Sequence, residues 1–409
     1  MNAAPQPVGS RANGRESLEA RLLRRLLAGI GEPPLDFLFG WTGERVEARP
    51  GPAAATVRIA DRATLAGLLA DPQVRFGDAY SEGRIEIDGD PIELMNVVYR
   101  GGLAREEPIP QRIAGWVRRP RRNTLEGSRD NIHHHYDLGN DFYALWLGET
   151  MAYTCAYFPR TDAGLDEAQV AKMDHVCRKL RLSAGDSVVE AGCGWGGLAL
   201  HIAGRYGAKV RAFNISKEQI AFARRRAREL GLEGRVEFVE DDYRNIRGRY
   251  DVFVSVGMLE HVGVENYATL GRIARESIVA SGRGLIHSIG RNRPGSLHPW
   301  IEKRIFPGAY PPSIGQMMQI FEPADLSVLD VENLRLHYAL TLRHWLRRYE
   351  ASVDRVRAMF DERLVRTWRL YLAGSVAAFE SGVLQLFQVL FTGRENNDLP
   401  MTREHLYAR

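Results

Sequence analysis

The sequence predicts an α/β protein: a mostly parallel sheet covered by helices, preceded by a small α+β unit. Three observations carry this. From about residue 165, strand-like and helix-like segments alternate. A strand-like run, "DSVVEAG" (186–192), breaks into glycines and passes straight into a helical pattern. Before residue 110, short strands and helices are mixed without that alternation. Strands separated by helical segments of about 10–15 residues are the mark of a parallel sheet covered on both faces.

Taken in order, residues 1–14 read as a disordered tail, with no apolar stretch of the kind a secretory signal carries. Residues 15–30, "RESLEARLLRRLLAGI", predict a basic amphipathic helix. A Pro/Gly break leads into a short strand in "VEARPGPAAATVRIAD", residues 63–70 look helical, and "GRIEIDGD" (83–90) alternates as a strand. These form an N-terminal unit over 15–110. A basic, Pro-containing linker spans 111–130, and a catalytic unit runs from 131 to 409.

In that unit, helix "LDEAQVAKMDHVCRKLRL" precedes strand "SVVEAG", and helix "GLALHIAGRYG" precedes strand "KVRAFNI". Helix "KEQIAFARRRARELG" follows, with Ser216 and Gln219 spaced for a capping box, and leads to "RVEFVED". Strand "DVFVSVG", helix "YATLGRIARESIV" and strand "RGLIHSIG" complete the series. After residue 340 two long helical patterns carry many Arg, Trp and Phe residues.

Composition narrows the function. A hydrophobic share of 44% and a charged share of 26% over 409 residues suit a globular protein of two or three domains. No apolar run reaches the roughly 20 residues that span a bilayer. A net charge of +4 is too small to argue for nucleic acid, though it suits contact with an anionic membrane surface. The three cysteines, Cys155, Cys177 and Cys193, have neither metal spacing nor disulfide parity, as expected of a reducing cytosol.

The glycine loop carries chemistry. Gly192 permits a tight turn, and Gly194 and Gly196 let a ligand approach bare backbone. No Lys-Ser/Thr follows, which excludes a phosphate-cradling loop. The acid Glu190 stands on the strand end itself, in the spacing Glu-x-Gly-x-Gly-x-Gly. That is the pattern of S-adenosylmethionine (SAM) methyltransferases. Asn214 and Ile215 end the second strand, where an acid for the ribose hydroxyls is expected. "EDDYR" supplies Asp241, Asp242 and Tyr243 after the third strand, with an acid placed to take an adenine amino group.

Five further stretches join "EAGCGWGG": "HHHYDLGNDFYALWLGETMAYTCAYF" (133–158), "SVGMLEHVG" (255–263), "IHSIG" (286–290), "IFPGAYPPS" (305–313) and "HYALTLRHW" (337–345). Together these closely resemble the cyclopropane-fatty-acyl-phospholipid synthases and the related mycolic acid cyclopropane synthases, strongly over about 130–409 and more weakly before. The resemblance implies a Rossmann-like SAM methyltransferase fold with helical lipid-binding insertions. It implies transfer of a methyl from SAM to a cis double bond of a phospholipid acyl chain, then loss of a proton to close the ring. It places a bicarbonate on Cys155, Glu260, His287, the Ile289 backbone and Tyr338, and SAM on Tyr153, Thr154, Gly192, Gly194, Asn214, Gln219 and Asp242. Thr154 stands where the family more often has Ser, and Asn214 where it usually has Thr.

The residue types agree in kind. His287, Tyr338 and a backbone N–H can donate to an anion, and Glu260 can accept bicarbonate's O–H. The triplet His133–His135 gives no metal expectation, since consecutive side chains point different ways; only His135, with Tyr136 and Asp137, belongs to the family motif. Residues 299–320 and 369–391 supply candidate walls for an acyl tunnel. The expected partners are unsaturated phospholipids at the inner face of the membrane, with the protein cytoplasmic and peripheral, no nucleic acid bound, and homodimer formation left open. Three other readings stay open here: an acyl C-methyltransferase leaving a methylene or methyl branch, a small-molecule methyltransferase, and a lipid-binding or lipid-transfer protein without catalysis.

Overall fold

The computed structural model describes residues 16–103 and 138–407. The expected tail (1–14), the linker (111–130) and the stretch His133–Asp137 lie outside the described residues.

The N-terminal unit runs α1 (Leu18–Gly29), β1 (Leu35–Phe39), β2 (Arg45–Glu47), β3 (Ala55–Ile59), α2 (Arg62–Ala70), α3 (Pro72–Ser81), β4 (Ile85–Gly89) and α4 (Pro91–Val98). Its sheet has the order β2-β1-β3-β4, with β1 and β3 parallel. Helix starts are written locally: Ser17, Asp61, Asp71 and Asp90 each cap with a side-chain oxygen, and Pro72 and Pro91 open α3 and α4. The apolar stripe of α1, Ala20, Leu23 and Leu27, turns inward onto this unit, leaving Leu18 and Leu22 in solvent. Sequence reading missed β1, one of the sheet's two inner strands, because "LDFLF" is too short and too uniformly apolar to separate strand from helix.

The second unit is built on seven strands: β5 (Ser187–Ala191), β6 (Lys209–Asn214), β7 (Val236–Glu240), β8 (Tyr250–Val256), β9 (Ile278–Gly290), β10 (Leu326–Asn333) and β11 (Gln385–Gly393). Their order is β10-β11-β9-β8-β5-β6-β7. Strands β5 to β9 pair in parallel, and β11 runs antiparallel to both β9 and β10. The winding reverses between β5 and β8, and in such sheets ligands bind beyond the strand ends at that point. The helices α5 (Asn140–Ala144), α6 (Leu165–Lys179), α7 (Gly197–Tyr206), α8 (Lys217–Glu229), α9 (Tyr267–Ser277), α10 (Pro299–Arg304) and α11 (Ile314–Phe321) are followed by α12 (Arg335–Ala351), α13 (Val353–Met359) and α14 (Glu362–Glu380). One sheet face packs Val188, Val254 and Leu285 among residues of α6, α7 and α8. The other packs Val189, Phe253 and Ile286 among residues of α9 and α11.

Residues 369–391, offered as tunnel wall, divide between two elements: α14 ends at Glu380, Gly382 takes φ 81°, and β11 follows inside the sheet. A strand buried on both faces shows no alternation and reads like a buried helix. The capping box at α8 forms by half. Ser216 Oγ accepts from the Gln219 N–H, but the Gln219 side chain is bonded to Asn214 instead. Ser313 and Gln316 form the complete box, opening α11.

The two units share a continuous core. Arg304 forks onto both oxygens of Asp78 at 2.9 and 2.8 Å, and Trp300 packs so closely on Gly77 that a Cβ there would sit 2.4 Å from its ring. Arg366 of α14 donates to the Ile85 carbonyl at 2.8 Å. The N-terminal unit is thereby tied to α10 and α14.

Candidate active site

The glycine loop lies at the reversal of the sheet. Gly192 takes φ 84°, and a Cβ there would meet Met258 Cβ at 2.8 Å. The amides of Gly192 and Cys193 both donate to the Phe213 carbonyl, at 2.9 and 3.0 Å, and so pull the loop against β6. A cleft opens beside it. Gly192, Asn214, Ile215, Asp241, Asp242 and Tyr243 line this cleft, together with Phe213, Arg244, Met258, His261 and Val262. Among these, Arg244, Met258 and His261 were not singled out by sequence reading, although "EDDYR" and "MLEHV" flank the motifs that were.

Several expected cofactor residues are already engaged. Asn214 Oδ1 accepts from the Ile215 N–H at 2.9 Å, while its Nδ2 donates to Gln219 Oε1 at 2.7 Å and the Gly194 carbonyl at 3.2 Å. Asn214 and Gln219 thus brace the loop against α8. Asp242 is held in a fork by Arg244 at 2.7 and 2.9 Å, and Asp241 accepts from the Asp242 N–H at 2.8 Å. The Tyr243 hydroxyl is buried with no hydrogen-bond partner among the described residues. Beneath the loop Glu190 is 2% exposed; burial raises its carboxyl to about 7 against the opposing pull of the Lys172 ammonium.

The second set gathers around the ends of β9 and β11. Glu260, on a short 3₁₀ turn after β8, accepts the Ile289 N–H at 2.6 Å. Ile289 sits opposite Leu386 on β11, and the Leu386 carbonyl accepts from Leu334 N at 2.9 Å. The Leu334 carbonyl in turn accepts the Tyr338 N–H at 3.1 Å and lies 3.9 Å from Cys155 Sγ. His287 is two residues before Ile289, on the same face of β9. Its Nδ1 pairs with Gln388 at 3.1 Å. Burial pushes the Cys155 thiol up, keeps His287 neutral, and raises Glu260 to about 7. Glu260 Oε2 and His287 Nε2 are buried and lack partners among the described residues. Buried polar atoms are almost always bonded, so such orphans point to a small polar ligand.

Aromatic rings fill the space between. Tyr153 shares a 2.8 Å hydrogen bond with the Tyr371 hydroxyl, and its ring lies 5.2 to 6.4 Å from those of Trp146, Trp345, Tyr143 and Phe306. Phe306 continues to His261, at 6.2 Å, on the cofactor cleft. Burial holds His261 neutral, at about 4. Ring faces of this kind attract positive charge while excluding water.

Residues 123–389 match the family described as mycolic acid cyclopropane synthetase. The chain belongs to that family. It is a SAM-dependent methyltransferase. A Pseudomonas putida protein named "Probable fatty acid methyltransferase" is 38% identical over 90% of this chain and 95% of its own length. The cyclopropane-fatty-acyl-phospholipid synthase of Escherichia coli (strain K12) is 34% identical over 86% and 92%. Among solved structures, mycolic acid cyclopropane synthase CmaA1 complexed with SAH and CTAB superposes with a TM-score of 0.61 at 29% identity. It covers 64% of this chain and 97% of its own. These solved structures carry the Rossmann-like methyltransferase fold, and SAM is the cofactor of the family.

Proposed function

We propose that this chain transfers a methylene unit from SAM to the cis double bond of an unsaturated phospholipid acyl chain, closing a cyclopropane ring. The observation that carries the reading is a pair of buried polar atoms without partners among the described residues, Glu260 Oε2 on the turn after β8 and His287 Nε2 near the end of β9, close to a ring-lined interior. An alkene is a weak nucleophile, so holding it in line with the sulfonium is the first task; such positioning contributes roughly 7–11 kcal/mol. Tyr153, Phe306 and Tyr371 would shield the developing cation from water. The neutral imidazole of His287 and the Tyr338 hydroxyl are donors that fit bicarbonate, the Cys155 thiol would join them by turning from the Ala156 carbonyl that it meets at 3.1 Å, and Glu260 would hold the anion's O–H. Bicarbonate bound there would supply the base for proton loss.

The relative named as a fatty acid methyltransferase supports a second outcome, in which a different proton leaves and the chain keeps a methylene or methyl branch. Access to lipid is supported by α1, whose Leu18 and Leu22 are exposed beside Arg21 and Arg25. Apolar side chains flanked by cations suit an anionic bilayer surface. No described helix is long and apolar enough to cross a membrane. Incubation with SAM and liposomes of unsaturated phospholipid, followed by NMR of the extracted lipid, tests the proposal. Ring protons support it, a vinylidene signal selects the second outcome, and an unchanged lipid with SAM bound refutes both.

A further inference from the structure

Helix α6 turns an unusual set of polar residues toward the sheet, and Lys172 is the most buried cation among them, 2% exposed. A lysine ammonium is rarely kept in such a place without a task, because taking it out of water is costly. Its Nζ donates to Thr154 Oγ1 at 3.0 Å. Glu190 and His287 stand two residues beyond Val188 and Leu285, on the sheet face that α6 covers, and the Lys172 charge acts on both as well as on Cys155 and Cys177. It therefore stands among residues of both halves of the site: Glu190 under the glycine loop, and Cys155 with His287 near the β9 end.

Thr154 is fixed from its other side as well. A Cβ on Gly257, at the end of β8, would lie 2.8 Å from Thr154 Cγ2, so only glycine lets the threonine methyl seat there. With the methyl against Gly257 and the oxygen accepting from Lys172, the Thr154 hydroxyl hydrogen is turned away from both. It becomes a donor of fixed direction. Opposite, Glu190 Oε2 is buried with no hydrogen-bond partner among the described residues.

We propose that Lys172 is a positioning residue for the methyl donor: by bonding the Thr154 hydroxyl and facing Glu190, it sets the Tyr153–Cys155 segment and the end of β5 in the one arrangement that receives SAM. This rests on the reading of Thr154 and Glu190 as cofactor contacts. Thr154 offers its O–H to an acceptor on SAM, such as its carboxylate, and Glu190 offers a carboxylate to SAM's positive charges.

The test uses SAH, which binds without turnover. Calorimetry is run on the wild type, Lys172→Met, Thr154→Val and the double variant, with thermal unfolding alongside. Each single variant should weaken SAH by about tenfold or more, the worth of one hydrogen bond to a charged group. The double variant should lose little beyond either single, because both break the same link. With liposomes, the KM for SAM should rise more than kcat falls. Additive losses in the double variant, or unchanged SAH affinity in Lys172→Met, would overturn the inference. If Lys172→Met does not fold, Thr154→Ser against Thr154→Val decides: retained affinity in Ser alone supports the link, and equal affinity overturns it. A wild type that fails to bind SAH removes the cofactor reading itself, which separates that failure from this one.

Discussion

Replacing Glu260 by glutamine should make the protein more stable at alkaline pH and nearly inactive. The carboxylate is buried, and burial raises its pKa from 4.5 to about 7. Below pH 4.5 the side chain is neutral in both the folded and the unfolded chain. Between 4.5 and about 7 the unfolded chain loses the proton that the folded one keeps. Stability therefore falls as pH rises through that window and levels off above it. At 1.36 kcal/mol per pKa unit, the displacement amounts to about 3 kcal/mol as an upper limit. Glutamine keeps an oxygen for the Ile289 N–H but carries no charge, so it avoids this cost. Urea unfolding of both proteins at pH 5 and pH 8 should show a relative gain for Glu260→Gln that is larger at pH 8, by up to about 3 kcal/mol. Turnover should drop by about 10²–10⁴-fold, the range for a lost acid–base group. SAH affinity should barely change. A stability difference that does not vary with pH, or turnover that survives, would refute the assignment of a buried, ionising Glu260 to the proton-loss step.

Other consequences follow from single contacts. Gly192→Ala places a Cβ 2.8 Å from Met258 Cβ at a positive φ, so SAH affinity measured by calorimetry should fall about tenfold, with a cost to folding of about 1–3 kcal/mol. Asn214→Ala removes the bonds to Ile215, Gly194 and Gln219; weaker SAH binding with a small change in melting temperature is expected, and an unaltered dissociation constant would remove its bracing role. Arg304→Ala strands the Asp78 carboxylate at the join between the two units, which should cost about 1–3 kcal/mol and speed limited proteolysis of the N-terminal unit.

The parallel sheet was legible because β5 to β9 come in βαβ units whose glycine and cap signals sit where the strand and helix periods change. That Gly192, Asn214 and Asp242 line one cleft was legible for the same reason: they stand at strand ends, where sequence order alone places them together. Strand β11 was not, since an inner strand apolar on both faces has no period of two to read; its only local sign was the Ser381-Gly382 break. The contacts of Asn214 and Asp242 were hidden for another reason. Their side chains turn to Gln219 and Arg244, and rotamer choice among polar neighbours leaves no trace in spacing. Lys172 drew no notice within the helical stretch "LDEAQVAKMDHVCRKLRL", because a pattern cannot show that its polar residues face a sheet carrying Glu190 and His287.

The most direct trial is a proton spectrum of lipid recovered after the purified protein, SAM and vesicles of a cis-monounsaturated phospholipid have been mixed. Upfield resonances of a three-membered ring, growing as the olefinic signal shrinks, are what this account predicts. A lipid whose olefin persists untouched while the protein demonstrably holds SAM would contradict it.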